Sequence, residues 1–482
     1  MSEERQQLAR GLVWLGSATA VARILDALSL ILVLRFLTRE QIGVATLAWS
    51  VAVFVECFNG LGIGTATLQQ PDLTPRQTSS AFWYATGIAA VLSTMVVLAA
   101  PWIADAYRAP ELTSMIRVSA MKLVFVGLAA VPLALLAREM RYRALGAVTT
   151  LATLVSGLVT LGLAAAGAGA WAPLLGNVSN GLMQLLGASV LCGPYSRREF
   201  DWESLRGMAK TGLNISGSVA VVQLSRNLDY LLLGRLVSTQ ALGGYRVAFD
   251  LAMAPSIAIL QVGNRTALPV YSRLGRELSK LNEAWLWTAR TVTLMTVPVM
   301  ALIFVDGENV LQLLGKSGWP HAGDAIRLLL VAAFMRGIAE TIPSVYVAAG
   351  KSRLSLVHSV VNLLLVALAM FLGLTLTDWD RVFVISLAWV AATVSLVAVS
   401  LIMSKHAVAL SPWALLKSMG GPVVVFSGVV ITLLAVRPFL PANPGLRLAI
   451  DVALVVGSFV GGLRVFLGVD VRTAFKRSPI AP

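Results

Sequence analysis

The sequence predicts an all-α membrane protein of about fourteen transmembrane helices, arranged as two six-helix bundles related by a pseudo-two-fold plus a C-terminal helix pair. Three observations point there. Hydrophobic residues make up 57% of the chain and charged residues only 13%, with a mean hydropathy of +0.79, whereas a soluble domain carries about 25% charge. Apolar runs long enough to span a bilayer, about 20 residues each, follow one another from Gly11 almost to the C-terminus. The third is an offset of 200 residues at which the second half resembles the first.

The predicted spans, in order, are 11–34, 41–64, 81–104, 113–137, 144–166, 170–192, 211–234, 243–263, 286–305, 325–349, 354–376, 383–403, 418–436 and 446–467. The acidic start Met-Ser-Glu-Glu-Arg does not fit a signal peptide, so the first run reads as a retained helix. Pro132, Pro255, Pro298 and Pro343 fall inside spans, which membrane helices tolerate when neighbours satisfy the freed backbone groups. Trp14, Trp102, Trp285 and Trp379 fall near span ends and read as interfacial anchors. Asn177, Asn180 and Gln184 read as helix–helix hydrogen-bonding residues.

Charge sets the orientation. Twenty Lys and Arg lie at the termini and in the loops after even-numbered spans, against eight after odd-numbered spans. Positive charge stays on the cytoplasmic side, which places both termini there. The net charge of +14 thus serves topology and anionic lipid, with no call for nucleic acid. Cys57 and Cys192 lie far apart in apolar runs, and His321, His358 and His406 carry no ligand spacing, so neither a disulfide framework nor a metal or cofactor site is expected.

At the 200-residue offset, Leu28 to Arg35 falls on Leu228 to Arg235, and Gly43 falls on Gly243. Six crossings per repeat is an even number, so both halves share one orientation, as in transporters with a parallel internal repeat. The expected organisation is an N-terminal lobe over 1–200, a second lobe over 201–410, and a helix pair with a cytoplasmic tail over 411–482.

Several segments carry a resemblance. Arg35-Phe-Leu-Thr-Arg-Glu-Gln-Ile-Gly43, Gly62 to Gln70, Arg138-Glu-Met-Arg-Tyr-Arg143, Gly167 to Trp171, Asn227 to Gly234, Leu242-Gly-Gly-Tyr245 and Pro269 to Leu274 occur in an order and spacing that resembles the polysaccharide-transport branch of the MOP exporter superfamily. That branch includes Wzx-type flippases and is related to the lipid II flippase. The resemblance implies two bundles around a central cavity lined by spans one, two, seven and eight. It also implies movement of undecaprenyl-diphosphate-linked oligosaccharide across a bacterial inner membrane. Membrane lipid is the other partner, with a polymerase and glycosyltransferases in the same pathway.

Ionisable residues at membrane depth are the candidate site. A charge there costs at least ~2.5–3.5 kcal/mol and normally faces protein or water. Arg23 and Asp26 lie in span one, Glu56 in span two, Lys122 in span four, Arg226 and Asp229 in span seven, Arg246 and Asp250 in span eight, and Arg336 and Glu340 in span ten. Four of these sets are opposite charges three or four residues apart, on one helical face. Two readings stand side by side. Each pair neutralises itself to make its helix insertable, or Arg23, Arg226, Arg246, Arg336 and Lys122 bind diphosphate while Asp26, Glu56, Asp229, Asp250 and Glu340 hold them or carry an ion. Arg suits phosphate because its planar fork donates two parallel hydrogen bonds. Glu56 and Lys122 have no local partner and are placed to pair across the bundle.

Two other functions compete. A polytopic glycosyltransferase or polymerase would need carboxylates on a substantial outer loop, and the longest, 306–324, has no paired spacing. A drug or cation antiporter of the related MATE fold would favour an acidic cavity with little Arg. No GxxxxGK[ST] occurs, which argues against direct ATP drive.

Overall fold

In a bilayer core every backbone N–H and C=O must find its partner inside the protein, and a helix does this within one segment. The computed structural model describes residues 32–70, 72–193, 199–275, 277–314, 322–408, 411–441 and 443–467, with Leu25 and Ser29. Among these residues all regular structure is helical. Residues 32–36 form the end of span one. Then come α1 (Arg39–Glu56), α2 (Ile63–Gln69), α3 (Pro75–Ala106), α4 (Leu112–Arg138), α5 (Tyr142–Ala165), α6 (Trp171–Cys192), α7 (Trp202–Leu236) and α8 (Thr239–Leu274). The rest are α9 (Leu278–Leu313), α10 (Ala322–Ala339), α11 (Ile342–Ala348), α12 (Ser352–Leu376), α13 (Arg381–Val408), α14 (Pro412–Val436) and α15 (Pro444–Leu467).

Among the described residues, nine helices are long and apolar enough to cross a membrane: α3 to α6, α9 and α12 to α15. Spans two, seven, eight and ten fall short of that standard. They are the spans in which the breaks and most of the intramembrane charges sit.

Helix starts are written locally. Thr38 and Thr74 each begin a Thr-x-x-Gln capping box, in which the hydroxyl accepts from the Gln N–H and the Gln side chain accepts from the Thr N–H. Each box satisfies two of the orphan donors of a first turn. Ser411 caps α14 in the same sense, with Pro412 at its first position, where a missing N–H is harmless.

Two predicted spans are broken. Span two stops at Glu56, makes a 3-10 turn over Asn59–Gly62, and restarts as α2. Gly62 takes a left-handed φ of 65°, and a Cβ there would overlap the Gly212 carbonyl of α7. Only glycine meets both demands. Span ten breaks between Ala339 and Ile342, because Pro343 has no N–H to continue the ladder. Asn264 Nδ2 donates to the Glu340 carbonyl at 3.2 Å, and Trp285 Nε1 donates to the Thr341 hydroxyl at 3.0 Å. Trp285 is therefore fully buried, not the interfacial anchor its sequence position suggested.

The chain divides into two compact units, Met1–Gly243 and Gly244–Pro482. In the first, α3 packs on α4, α5 on α6 and α4 on α6, while α7 packs along α1 and α2. Buried Ala81, Ala85 and Ala89, then Ala100 and Ala104, line one face of α3. Lipid tails are as apolar as Leu, so close approach through small residues, and not escape from water, holds such helices together. Backbones approach closely where α1 and α8 begin. A Cβ at Gly43 would fall on the Thr239 carbonyl, and one at Gly243 on the Arg39 carbonyl. The two contacts are equivalents of each other under the 200-residue offset.

In the second unit α10 and α12 pack on α13, and α9 packs on both α14 and α15. The last contact is a seam of Val297, Ala301, Val305, Val425, Val429, Leu433 and Val455. At 36 residues, α9 is about 54 Å long, well beyond a ~30 Å hydrocarbon core. It carries Asp306 and Glu308 within the helix, so the loop expected from residue 306 begins no earlier than Leu314.

Candidate functional site

Arg23 and Asp26 lie outside the described residues. The other candidates form separate polar centres within the two units.

In the first unit Lys122 Nζ of α4 reaches Glu56 Oε2 at 2.9 Å, the cross-helix pairing expected from two charges without local partners. The break explains why it is needed. Glu56 is the last residue of α1, where the helix end is already negative. The Lys122 ammonium answers both, and the Glu56 side chain keeps 27% exposure. Three residues on, Asn59 Nδ2 donates to the Leu123 carbonyl at 2.7 Å, tying the turn to the same place on α4. On α7, Asp229 is fully buried and Arg226 partly buried, with Asn227 Nδ2 donating to the Gln223 carbonyl at 2.8 Å. The foot of this helix is positioned by Tyr107, whose hydroxyl donates to the Leu231 carbonyl at 3.3 Å. Burial raises the Tyr107 hydroxyl above its ordinary range, with nearby Arg235 pulling the other way, so it stays a donor.

In the second unit Arg246 Nε bonds Asp250 Oδ2 at 2.7 Å one turn along α8. Arg336 Nε, in the last turn of α10, bonds Glu340 Oε1 just past the end of that helix at 2.6 Å. The two pairs share a spacing but not a setting. Arg246 keeps 22% side-chain exposure. Arg336 keeps 6%, with its guanidinium 5.4 Å from the centre of the Trp389 ring, a cation–π contact. Trp389 donates through Nε1 to the Tyr245 hydroxyl at 3.0 Å and packs against Phe249. His358 Nδ1 lies 3.0 Å from the Ser400 hydroxyl, buried in the same unit.

One centre was not anticipated. Arg447 Nη2 of α15 lies 3.2 Å from Asp306 Oδ1 of α9, and Arg447 Nε lies 3.8 Å from Asp451 Oδ2. The Arg447 and Asp451 spacing of four residues was a readable signal. The partner Asp306 was hidden by its assignment to a loop. Among the described residues no three His, Cys, Asp or Glu side chains are grouped to hold a metal ion.

Among the described residues, nine helices long and apolar enough to cross a membrane, with ion pairs held among them, mark a multi-pass membrane protein. Solved structures agree on the fold. The lipid II flippase MurJ in an inward closed conformation superposes with a TM-score of 0.76 over 95% of this chain and 99% of that one, at 13% identity. A MATE-family multidrug transporter of the MOP superfamily in its inward-facing conformation gives 0.64 over 82% and 96%, at 16% identity. The chain belongs to the polysaccharide biosynthesis protein family, whose model matches residues 32–323. It is similar to the teichuronic acid biosynthesis protein TuaB of Bacillus subtilis, 22% identical over 81% of this chain and 80% of that one. It is also similar to the lipopolysaccharide biosynthesis protein WzxC of Escherichia coli, 21% identical over 77% and 75%. The fold class and the Wzx-like membership read from the sequence are thereby established. The family match takes in Glu56, Lys122, Arg226, Asp229, Arg246 and Asp250 and ends before Arg336.

Proposed function

We propose that this protein is a flippase that moves undecaprenyl-diphosphate-linked oligosaccharide from the cytoplasmic to the periplasmic leaflet of a bacterial inner membrane by alternating access. The observation that carries this is the pairing of a MurJ-like fold over nearly the whole chain with partly accessible arginine at membrane depth. Arg246 is held by Asp250 yet keeps exposure, as a phosphate ligand should before substrate arrives. Arg226 of α7 and Arg23 of span one are its proposed companions. Arg336, sealed beneath Trp389, is a structural member of the set in this reading, and Lys122 balances the end of α1. The two lobes are 1–200 and 201–410, with 411–482 as the appended helix pair, and both termini face the cytoplasm.

The likeness to MATE transporters favours drug or cation export as a second reading. A cation substrate would be repelled by the same arginines, so the anionic diphosphate is preferred. In cells lacking the protein, undecaprenyl-linked glycan should accumulate in the cytoplasmic leaflet. Unchanged leaflet distribution, with altered sensitivity to cationic drugs, would favour the second reading. Orientation is checked separately with cysteines at the exposed positions Asp378 and Met140, after Cys57 and Cys192 are replaced. The impermeant thiol reagent should label Asp378→Cys in spheroplasts and spare Met140→Cys.

A further inference from the structure

The centre made by Asp306, Arg447 and Asp451 plays no part in the proposed diphosphate binding, and its charges do not balance. Two carboxylates face one guanidinium. The Asp306 side chain is fully buried and that of Asp451 keeps only 2% exposure. Asp306 Oδ2 and both oxygens of Asp451 accept no hydrogen bond. An ionised carboxylate buried without donors is strongly disfavoured, whereas one that shares a proton with a neighbouring carboxylate is not. Both carboxyl groups are seated against the one Arg447 guanidinium, whereas Arg437, after α14, is a further positive charge that is exposed to solvent. The centre sits above the valine seam that joins α9 to α14 and α15, where Asn309 Nδ2 also donates to the Pro444 carbonyl at 3.2 Å.

We propose that Asp306 and Asp451 hold a single proton between them, forming a proton-binding site that fastens the C-terminal helix pair to α9. The proton supplies the one donor the pair lacks and reduces the two negative charges to the one that Arg447 balances. A metal cation is excluded by the guanidinium already seated against both acids. Loss of the proton leaves two like charges across the α9–α15 contact, so the seam loosens as the site empties.

The test is infrared difference spectroscopy on the purified full-length protein in lipid vesicles at neutral pH. The wild type should show a protonated-carboxyl band. Asp306→Asn and Asp451→Asn should each abolish it, because the acid that remains pairs with Arg447 and ionises. Asp451→Glu keeps the carboxyl and should move the band instead of removing it. The band should be the same in sodium-containing and sodium-free buffer. No band in the wild type, a band unchanged in all three variants, or a band that appears only when sodium is withdrawn would each overturn the proposal.

Discussion

The two broken spans do similar work with different chemistry. In each, an Asn from the second span of its half donates to a carbonyl on the fourth: Asn59 to Leu123 in the first unit, Asn264 to Glu340 in the second. In each, an ion pair stands beside the break. The first break is made by glycine in span two, and its ion pair joins two helices through Lys122 and Glu56. The second is made by Pro343 in span ten, and its ion pair lies at the end of one helix under an indole ring. A break built on glycine and a partly exposed lysine bridge can change angle. One built on proline, a buried Trp285–Thr341 hydrogen bond and a cation–π lid holds its angle. The contrast predicts a looser first junction and a firmer second one.

Replacing the sealed arginine should have the largest effect. Arg336→Ala leaves Glu340 partly buried without its partner, which costs about 3–5 kcal/mol where a buried pair is broken. Thermal unfolding of the detergent-purified protein should show it, and Trp389→Leu should reproduce a smaller part. Lys122→Ala breaks the more exposed pair and should cost less, about 1–3 kcal/mol, with Glu56→Gln in the same chain recovering most of it. Equal losses at Arg336 and Lys122 would break the contrast between the firmer and the looser junction. Smallest is Asn264→Ala, at about 1 kcal/mol for one hydrogen bond. It should matter more to the temperature of unfolding than to export.

Much of this was legible in the sequence. Hydropathy located the helices, because span length is dictated by bilayer thickness, and lone charges at depth predicted the Glu56–Lys122 pairing because neither could stay unpaired. The breaks were not legible. A window of some twenty residues averages over Asn59-Gly60-Leu61-Gly62, and Pro343 alone does not distinguish a kink from a full interruption. The Asp306 centre was missed for a related reason. A carboxylate at the edge of an apolar run reads as a loop residue, and only packing against α15 shows that the helix carries it onward and buries it. Trp285 fell to the same ambiguity, since the seal over span ten and an interfacial belt look alike in one dimension.

The unequal exposure of Arg246 and Arg336 carries the central claim, and export of lipid-linked glycan tests it most directly. In spheroplasts of a strain lacking the protein, glycan reaching the outer leaflet is measured by its accessibility to an added glycosidase. The strain is complemented with wild type, Arg246→Ala, Arg246→Lys or Arg336→Lys, each corrected for the amount inserted in the membrane. Losing a charge-assisted hydrogen bond of ~1.5–3 kcal/mol to the diphosphate should slow Arg246→Ala by about ten- to a hundredfold. Arg246→Lys should fall between it and wild type, and Arg336→Lys should change protein stability with little change in rate per inserted molecule. Export by Arg246→Ala at the wild-type rate, with Arg336→Lys impaired instead, would contradict the account.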